Sequence, residues 1–227
     1  GAIAENYASR AQLITNTGGK LDLECISFSD AIRLWSTFGC GKSILNRVGT
    51  VGSTYLLTIE PLIAESVFAQ PDCNWLTTQI TTALSLYSRD ALSLNKIGAI
   101  NSRNNLTTGT TTLAYLGVLI DGRYLQKCEN IIAAVIGDRD ADHYILQISN
   151  AKNCEIRNIT ALNGRLYIVN NISNVDIYNA KHAAMLNGAA TKRSSSGLFI
   201  DSADGVNVYG YKRVGSPVIG WYAIQFG

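Results

Sequence analysis

Charge is scarce in this chain. Asp, Glu, Lys and Arg make up 16% of its 227 residues, against about 25% in an ordinary globular domain. The 19 basic and 17 acidic side chains nearly cancel. No basic block or stripe is present, which removes the electrostatic footprint of a nucleic-acid binder. Proline is down to 3 residues while 47% of the chain is hydrophobic, a combination that excludes disordered and collagen-like chains. No apolar run reaches the ~18 residues of a membrane span, so a soluble chain with no membrane insertion is expected. The cysteines (Cys25, Cys40, Cys73, Cys128 and Cys154) are odd in number and contain no Cys-x-x-Cys. They are expected to be reduced core thiols that behave as small hydrophobes. Met185 is the only methionine and residue 1 is Gly. The chain therefore reads as a fragment, a processed chain or a tag-cleaved product, and the absence of a visible signal peptide says nothing. The length is ample for a core that needs neither metal nor disulfide, and no cofactor or metal is expected.

What the chain does have is a repeat. Residues 145–158 (ILQISNAKNCEIRN), 166–179 (LYIVNNISNVDIYN) and 197–210 (GLFIDSADGVNVYG) align. The offset is 21 residues from Ile156 to Ile177 and 31 from Ile177 to Val208, the excess lying in residues 183–196. A weaker match joins 117–121 (GVLID) to 130–133 (NIIA). Each unit reads as a short strand, a polar turn and a second short strand of period 2. Two short strands cannot bury their own apolar face, but coils stacked along an axis can. The architecture expected is all-β: a parallel β-helix with Ile156, Ile177 and Val208 in one interior column. Asn150, Asn171 and Ser202 would stack at one corner and Asn153, Asn174 and Gly205 at the next, Asn being tolerant of left-handed backbone. A β-sandwich is the competing fold, but it does not explain the recurrence of the same positions in each unit.

The alternation assigns faces. With Cys154, Ile156, Val175, Ile177, Val206 and Val208 inward, Glu155, Arg157, Asp176, Tyr178, Asn207 and Tyr209 form an outward face. Glu155 and Asp176 hold the same position in adjacent coils, so their spacing should be near the ~5–5.5 Å of a retaining glycosidase pair. Two carboxylates that close are expected to resist joint ionisation, raising the pKa of one. They are the candidate catalytic pair, with Arg157, Tyr178, Tyr209 and Asn207 as candidate substrate-binding groups. On the other strand, Leu146, Ile148, Tyr167, Val169, Leu198 and Ile200 are expected inside. Ile145, Gln147, Leu166, Ile168 and Phe199 are expected outside, as an apolar strip for subunit contact.

The units L-x-I-x-N-x-x-N-V-x-I-x-N resemble the rungs of the pectate-lyase-like right-handed β-helix family. The low charge and the insertions between rungs are most similar to bacteriophage tailspikes and tail fibres within it. The resemblance covers residues 117–210 and carries no catalytic signature. It implies a homotrimer on the phage virion, assembled in the bacterial cytoplasm, that binds and depolymerises a bacterial surface polysaccharide (capsule or O-antigen) during host recognition. Cleavage would be hydrolysis by paired carboxylates or, less readily, lyase chemistry on a uronate. The other class is a non-catalytic structural or adhesive β-helix.

Residues 1–112 read as an irregular β-rich region, either further rungs or a separate domain, and 113–227 as rungs and a C-terminal segment. Gly39, Gly41, Lys42 and Ser43 imitate a phosphate loop, but Ser36 stands where the motif needs its first Gly, and no strand-then-helix context surrounds it. Asp138, Asp140 and Asp142 alternate as in a calcium loop without its Gly or Glu. His143 beside them has no nucleophilic Ser to serve, and His182 is expected to be solvated.

Overall fold

The computed structural model describes residues 11–16, 20–28, 31–36, 41–50, 54–70, 82–102, 116–136, 144–162, 164–184, 197–215 and 224–227. These form strands, and no helix occurs among them. In chain order they are β1 (Ala11–Asn16), β2 (Leu21–Phe28), β3 (Ala31–Ser36), β4 (Ser43–Thr50), β5 (Thr54–Thr58), β6 (Leu62–Ala69) and β7 (Thr82–Ser88). Next come β8 (Leu92–Ser102), β9 (Leu116–Asp121), β10 (Leu125–Ile136), β11 (Tyr144–Ser149), β12 (Lys152–Leu162) and β13 (Arg165–Val169). The last are β14 (Ile172–Tyr178), β15 (Lys181–Ala184), β16 (Leu198–Ile200), β17 (Ala203–Tyr209), β18 (Lys212–Gly215) and β19 (Ile224–Phe226).

Up to β14, successive strands alternate between two all-parallel sheets. One runs β1-β3-β5-β7-β9-β11-β13-β16-β19, and the other β17-β14-β12-β10-β8-β6-β4-β2, with β15 on β12 and β18 on β15. This is a β-helix-like arrangement, and both sheets run unbroken from the first strands to the last. A strand with one face on such an interior places alternate residues inside, and these stack from coil to coil. One column is Leu45, Ala64, Leu94, Cys128, Ile156, Ile177 and Val208. A second, in the other sheet, is Leu34, Leu56, Leu86, Ile120, Ile148, Ile168 and Ile200.

The long strands turn in mid-course. Cys25, Arg47, Ser66, Lys96, Asn130, Asn158, Asn179 and Gly210 occupy one position in successive coils, and all have positive φ, from 53° to 73°. A left-handed residue reverses the in–out alternation, so one strand serves two walls of the interior. Asn fits this position because its short side chain can bond locally. Asn158 Nδ2 donates to Asn130 Oδ1 at 3.0 Å, and Asn179 Nδ2 to Asn158 Oδ1 at 3.1 Å. The corner stacks also form. Asn150, Asn171 and Ser202 are left-handed, as are Asn153, Asn174 and Gly205. Asn174 donates to Asn153 at 3.0 Å.

The short-strand sheet departs from the expected facing. Ile145, Leu166 and Ile168 are fully buried rather than outward. Tyr167 is half-buried on the outer face, its ring 5.2 Å from that of Phe199. Val169 is buried as expected. The register pairs Leu146 with Leu166 and Ile148 with Ile168, an offset of 20, while the long-strand sheet keeps 21 between Ile156 and Ile177. The difference is one extra corner residue. Asn170 and Asn171 both adopt positive φ where neighbouring coils use Asn150 or Ser202 alone. A one-residue slip flips every side chain of a strand, so Ile145, Leu166 and Ile168 of the strip expected to mediate subunit contact are core, while Gln147 and Phe199 are half-buried in register with Tyr167 on the outer face.

Cysteines also divide. Cys128 is buried and Cys154 partly so, but Cys25 is exposed at the left-handed bend, which corrects its assignment to the core. Burial pushes the Cys154 thiol up to about 11 and that of Cys128 further. Cys40 and Cys73 lie outside the described residues. His182 is buried, not solvated. It faces inward in register with Ala133 and Ala161, and its ring lies against Gly197, where an added β-carbon would come within 3.0 Å of it.

Candidate functional site

The outward face of β10, β12, β14 and β17 carries two rows. The first holds Glu155, Asp176 and Asn207, paired strand to strand. The second holds Glu129, Arg157, Tyr178 and Tyr209. All the residues expected to act together are therefore brought together. Their separation along the axis is set by the strand spacing of about 4.8 Å.

Arg157 is the centre of the face. Its Nε donates to Glu155 Oε2 at 3.0 Å, and its Nη2 reaches the same oxygen. Its guanidinium carbon sits 4.2 Å from the centre of the Tyr178 ring. Tyr178 in turn stacks on Tyr209, with centroids 4.9 Å apart and planes 15° apart. Strand order puts β14 between β12 and β17, so Arg157 and Tyr209 lie on opposite sides of Tyr178. Both faces of the Tyr178 ring are engaged, and the open aromatic face belongs to Tyr209, which is 48% exposed. The hydrogen bonds that Arg157 donates to Glu155 hold its pKa above its ordinary value. Desolvation raises that of Tyr178, with Asp176 and Glu155 adding to it.

The two candidate carboxylates do not bond each other. Glu155 is held by Arg157, while Asp176 accepts from Asn207 Nδ2 at 2.9 Å. Glu155, Asn207 and Tyr209 are exposed; Asp176, Arg157 and Tyr178 are half-buried. The face is an open, ordered platform of carboxylate, guanidinium, amide and phenol groups. Such groups hold hydroxyls by hydrogen bonds, and an aromatic face stacks on the C–H face of a sugar.

Glu129 and Lys127, joined at 3.4 Å, extend the face by one coil and were not expected there. The signal was present: Asn130 and Asn158 both follow a charged residue before an isoleucine. Aligning Asn130 with Asn158, rather than placing 130–133 at the start of a second strand, puts Glu129 opposite Arg157. A related cluster lies elsewhere. Arg123 bonds both oxygens of Asp121, donates to Tyr87 Oη at 2.8 Å and lies 5.0 Å over that ring, pinning the turn between β9 and β10.

Of the other motifs, Gly41 is left-handed and Ser43 opens a strand, not a helix, so no phosphate-loop geometry follows it. Asp138, Asp140, Asp142 and His143 lie outside the described residues. No group of His, Cys, Asp and Glu suited to a metal occurs among the described residues. No family model matches the chain, and neither a curated protein nor a solved structure matches it.

Proposed function

We propose that this chain binds a bacterial surface polysaccharide along the outward face of β12, β14 and β17, as part of a tailspike-like right-handed β-helix. The observation that carries the reading is the Arg157–Tyr178–Tyr209 stack beside the in-register row of Glu155, Asp176 and Asn207. Repeating polar groups at a fixed strand spacing suit a repeating polymer. The open face of Tyr209 supplies a stacking surface, and the Asn207 amide and Asp176 carboxylate hold hydroxyls beside it. The right hand is supported by the general rule that crossovers between parallel strands of one sheet are right-handed in about 98% of cases.

Affinity electrophoresis against capsular and O-antigen polysaccharides tests the binding. Tyr209→Ala should weaken retention about tenfold, because aromatic stacking on a ligand ring contributes on the order of 1–3 kcal/mol. Retention by no polysaccharide, or unchanged retention after Tyr209→Ala and Arg157→Ala together, would remove this face from the function.

Cleavage is a second reading, favoured by one observation: Glu155 and Asp176 are register partners. Hydrolysis would use one as acid and the other as base or nucleophile. New reducing ends on incubation with the polysaccharide would show it, whereas a rise in absorbance at about 235 nm would show elimination from a uronate. Glu155→Gln and Asp176→Asn should each lower hydrolysis at least ~10²-fold. Binding without new reducing ends leaves the adhesive role. The homotrimer of this reading is tested by light scattering at micromolar concentration, which reads its mass.

A further inference from the structure

The charge state of the ligand follows from the state of the face, given the polysaccharide reading above. Among the charged groups on the two central rows, Glu129, Glu155 and Asp176 face only Lys127 and Arg157. Both cations are already committed: Lys127 to Glu129 and Arg157 to Glu155, with Glu129 in register beside Arg157. Arg157 also spends one guanidinium face on Tyr178. Asp176 has no cation among the described residues, only the amide of Asn207. The flanking row of Lys152, Ser173 and Asp204 adds one charge of each sign. Across the left-handed bend the next outward row is Ile132, Thr160, Lys181 and Lys212, which belongs to the other wall.

We infer that the face selects a polysaccharide whose repeat carries no negative charge, read through hydroxyl and ring contacts, and rejects uronates and other anionic sugars. An anionic sugar over Asp176 would meet an uncompensated carboxylate. On the two central rows, it would reach a cation only by displacing Glu155 from Arg157 or Glu129 from Lys127, since Lys152 lies on the flanking row. Like charges brought together are a source of discrimination in their own right. Elimination chemistry needs a uronate, so a ligand of this class leaves hydrolysis as the only cleavage open to the face.

The test is an array of bacterial polysaccharides sorted by charge per repeat, probed with the whole chain at low and at physiological salt. Neutral polymers should bind with little salt dependence, and uronate polymers at least about tenfold more weakly at low salt, where repulsion is least screened. Glu155→Gln, which frees Arg157, should raise uronate binding about two- to fivefold, the range of an exposed ion pair. Uronate polymers binding wild type as well as neutral ones would overturn the inference while leaving the polysaccharide reading intact. So would a Glu155→Gln variant with no gain. Binding to no polymer of either class would overturn both.

Discussion

Truncating Ile168 tests the facing of the short-strand sheet directly. The side chain is fully buried between Ile148 and Ile200, its register partners in the coils on either side. Ile168→Ala removes three carbons, worth about 2.4 kcal/mol at ~0.8 kcal/mol each. A cavity term adds to this, because neighbouring coils are hydrogen-bonded along their length and cannot collapse onto the gap. The total should fall at about 3–4 kcal/mol, within the usual 2–5 kcal/mol for such changes. For a chain of this size that is a fall of roughly 6–16 °C in melting temperature, at 2–4 °C per kcal/mol. Circular dichroism in urea gives the midpoint. Ile132→Ala is the matched control, because Ile132 is 43% exposed, and it should cost under about 1 kcal/mol. A loss below ~0.5 kcal/mol for Ile168→Ala would mean that the residue faces out and that the register described for β11 and β13 is wrong.

Asn158→Ala should destabilise by about 2 kcal/mol: two side-chain hydrogen bonds are lost at ~0.5–1 kcal/mol each, and the β-carbon stays in a left-handed residue without the local side-chain bonding that lets Asn tolerate it. Asn158→Gly should cost about half as much, and equal costs in urea titrations would refute the backbone part of the argument. Iodoacetamide at neutral pH should label Cys25 in the native chain and spare Cys128 and Cys154, as peptide mass mapping would show; labelling of Cys128 before unfolding would contradict its burial. The Cys154 thiol is raised from 9.0 to about 11, so between those values the unfolded chain loses a proton that the folded chain keeps. Its contribution should be whole below pH ~9 and decline as pH rises towards ~11; a urea midpoint that rises over that interval would reverse the sign. Gly98→Ala would put a β-carbon 2.7 Å from Phe68 Cδ2, so the ring that covers this glycine must lift. A stability loss of roughly 1 kcal/mol that vanishes in a Phe68→Ala background is expected, and a loss that persists there would place the clash elsewhere.

The long-strand sheet was legible because two signals coincide in it. Cys154, Ile156, Val175, Ile177, Val206 and Val208 alternate strictly, and Asn or Gly marks each bend. The short-strand sheet was not, because residues 166–169 (LYIV) are apolar throughout and alternation there has no phase. Only the turn could set the register, and the extra Asn in it resembles an ordinary polar corner. In the first coils the bend residues are Cys25, Arg47, Ser66 and Lys96, side chains that carry no left-handed signature. Residues 1–112 therefore read only as an irregular β-rich region. At the site, register alone placed Glu155 beside Asp176. What it could not supply was the partition of partners, Arg157 to Glu155 and Asn207 to Asp176, which depends on rotamers rather than on spacing.

The doubled corner at Asn170 and Asn171 changes what a single-residue insertion means in this chain. In most sheets a frame shift of one residue inverts a strand and exposes its core face. Here the shift is absorbed before β14 begins, so the two walls keep independent phase, like gears joined by a slipping clutch. Insertions at this corner should be tolerated in any coil, provided the added residue accepts positive φ. The surface groups of one wall can then drift in evolution against those of the other, leaving the interior columns untouched.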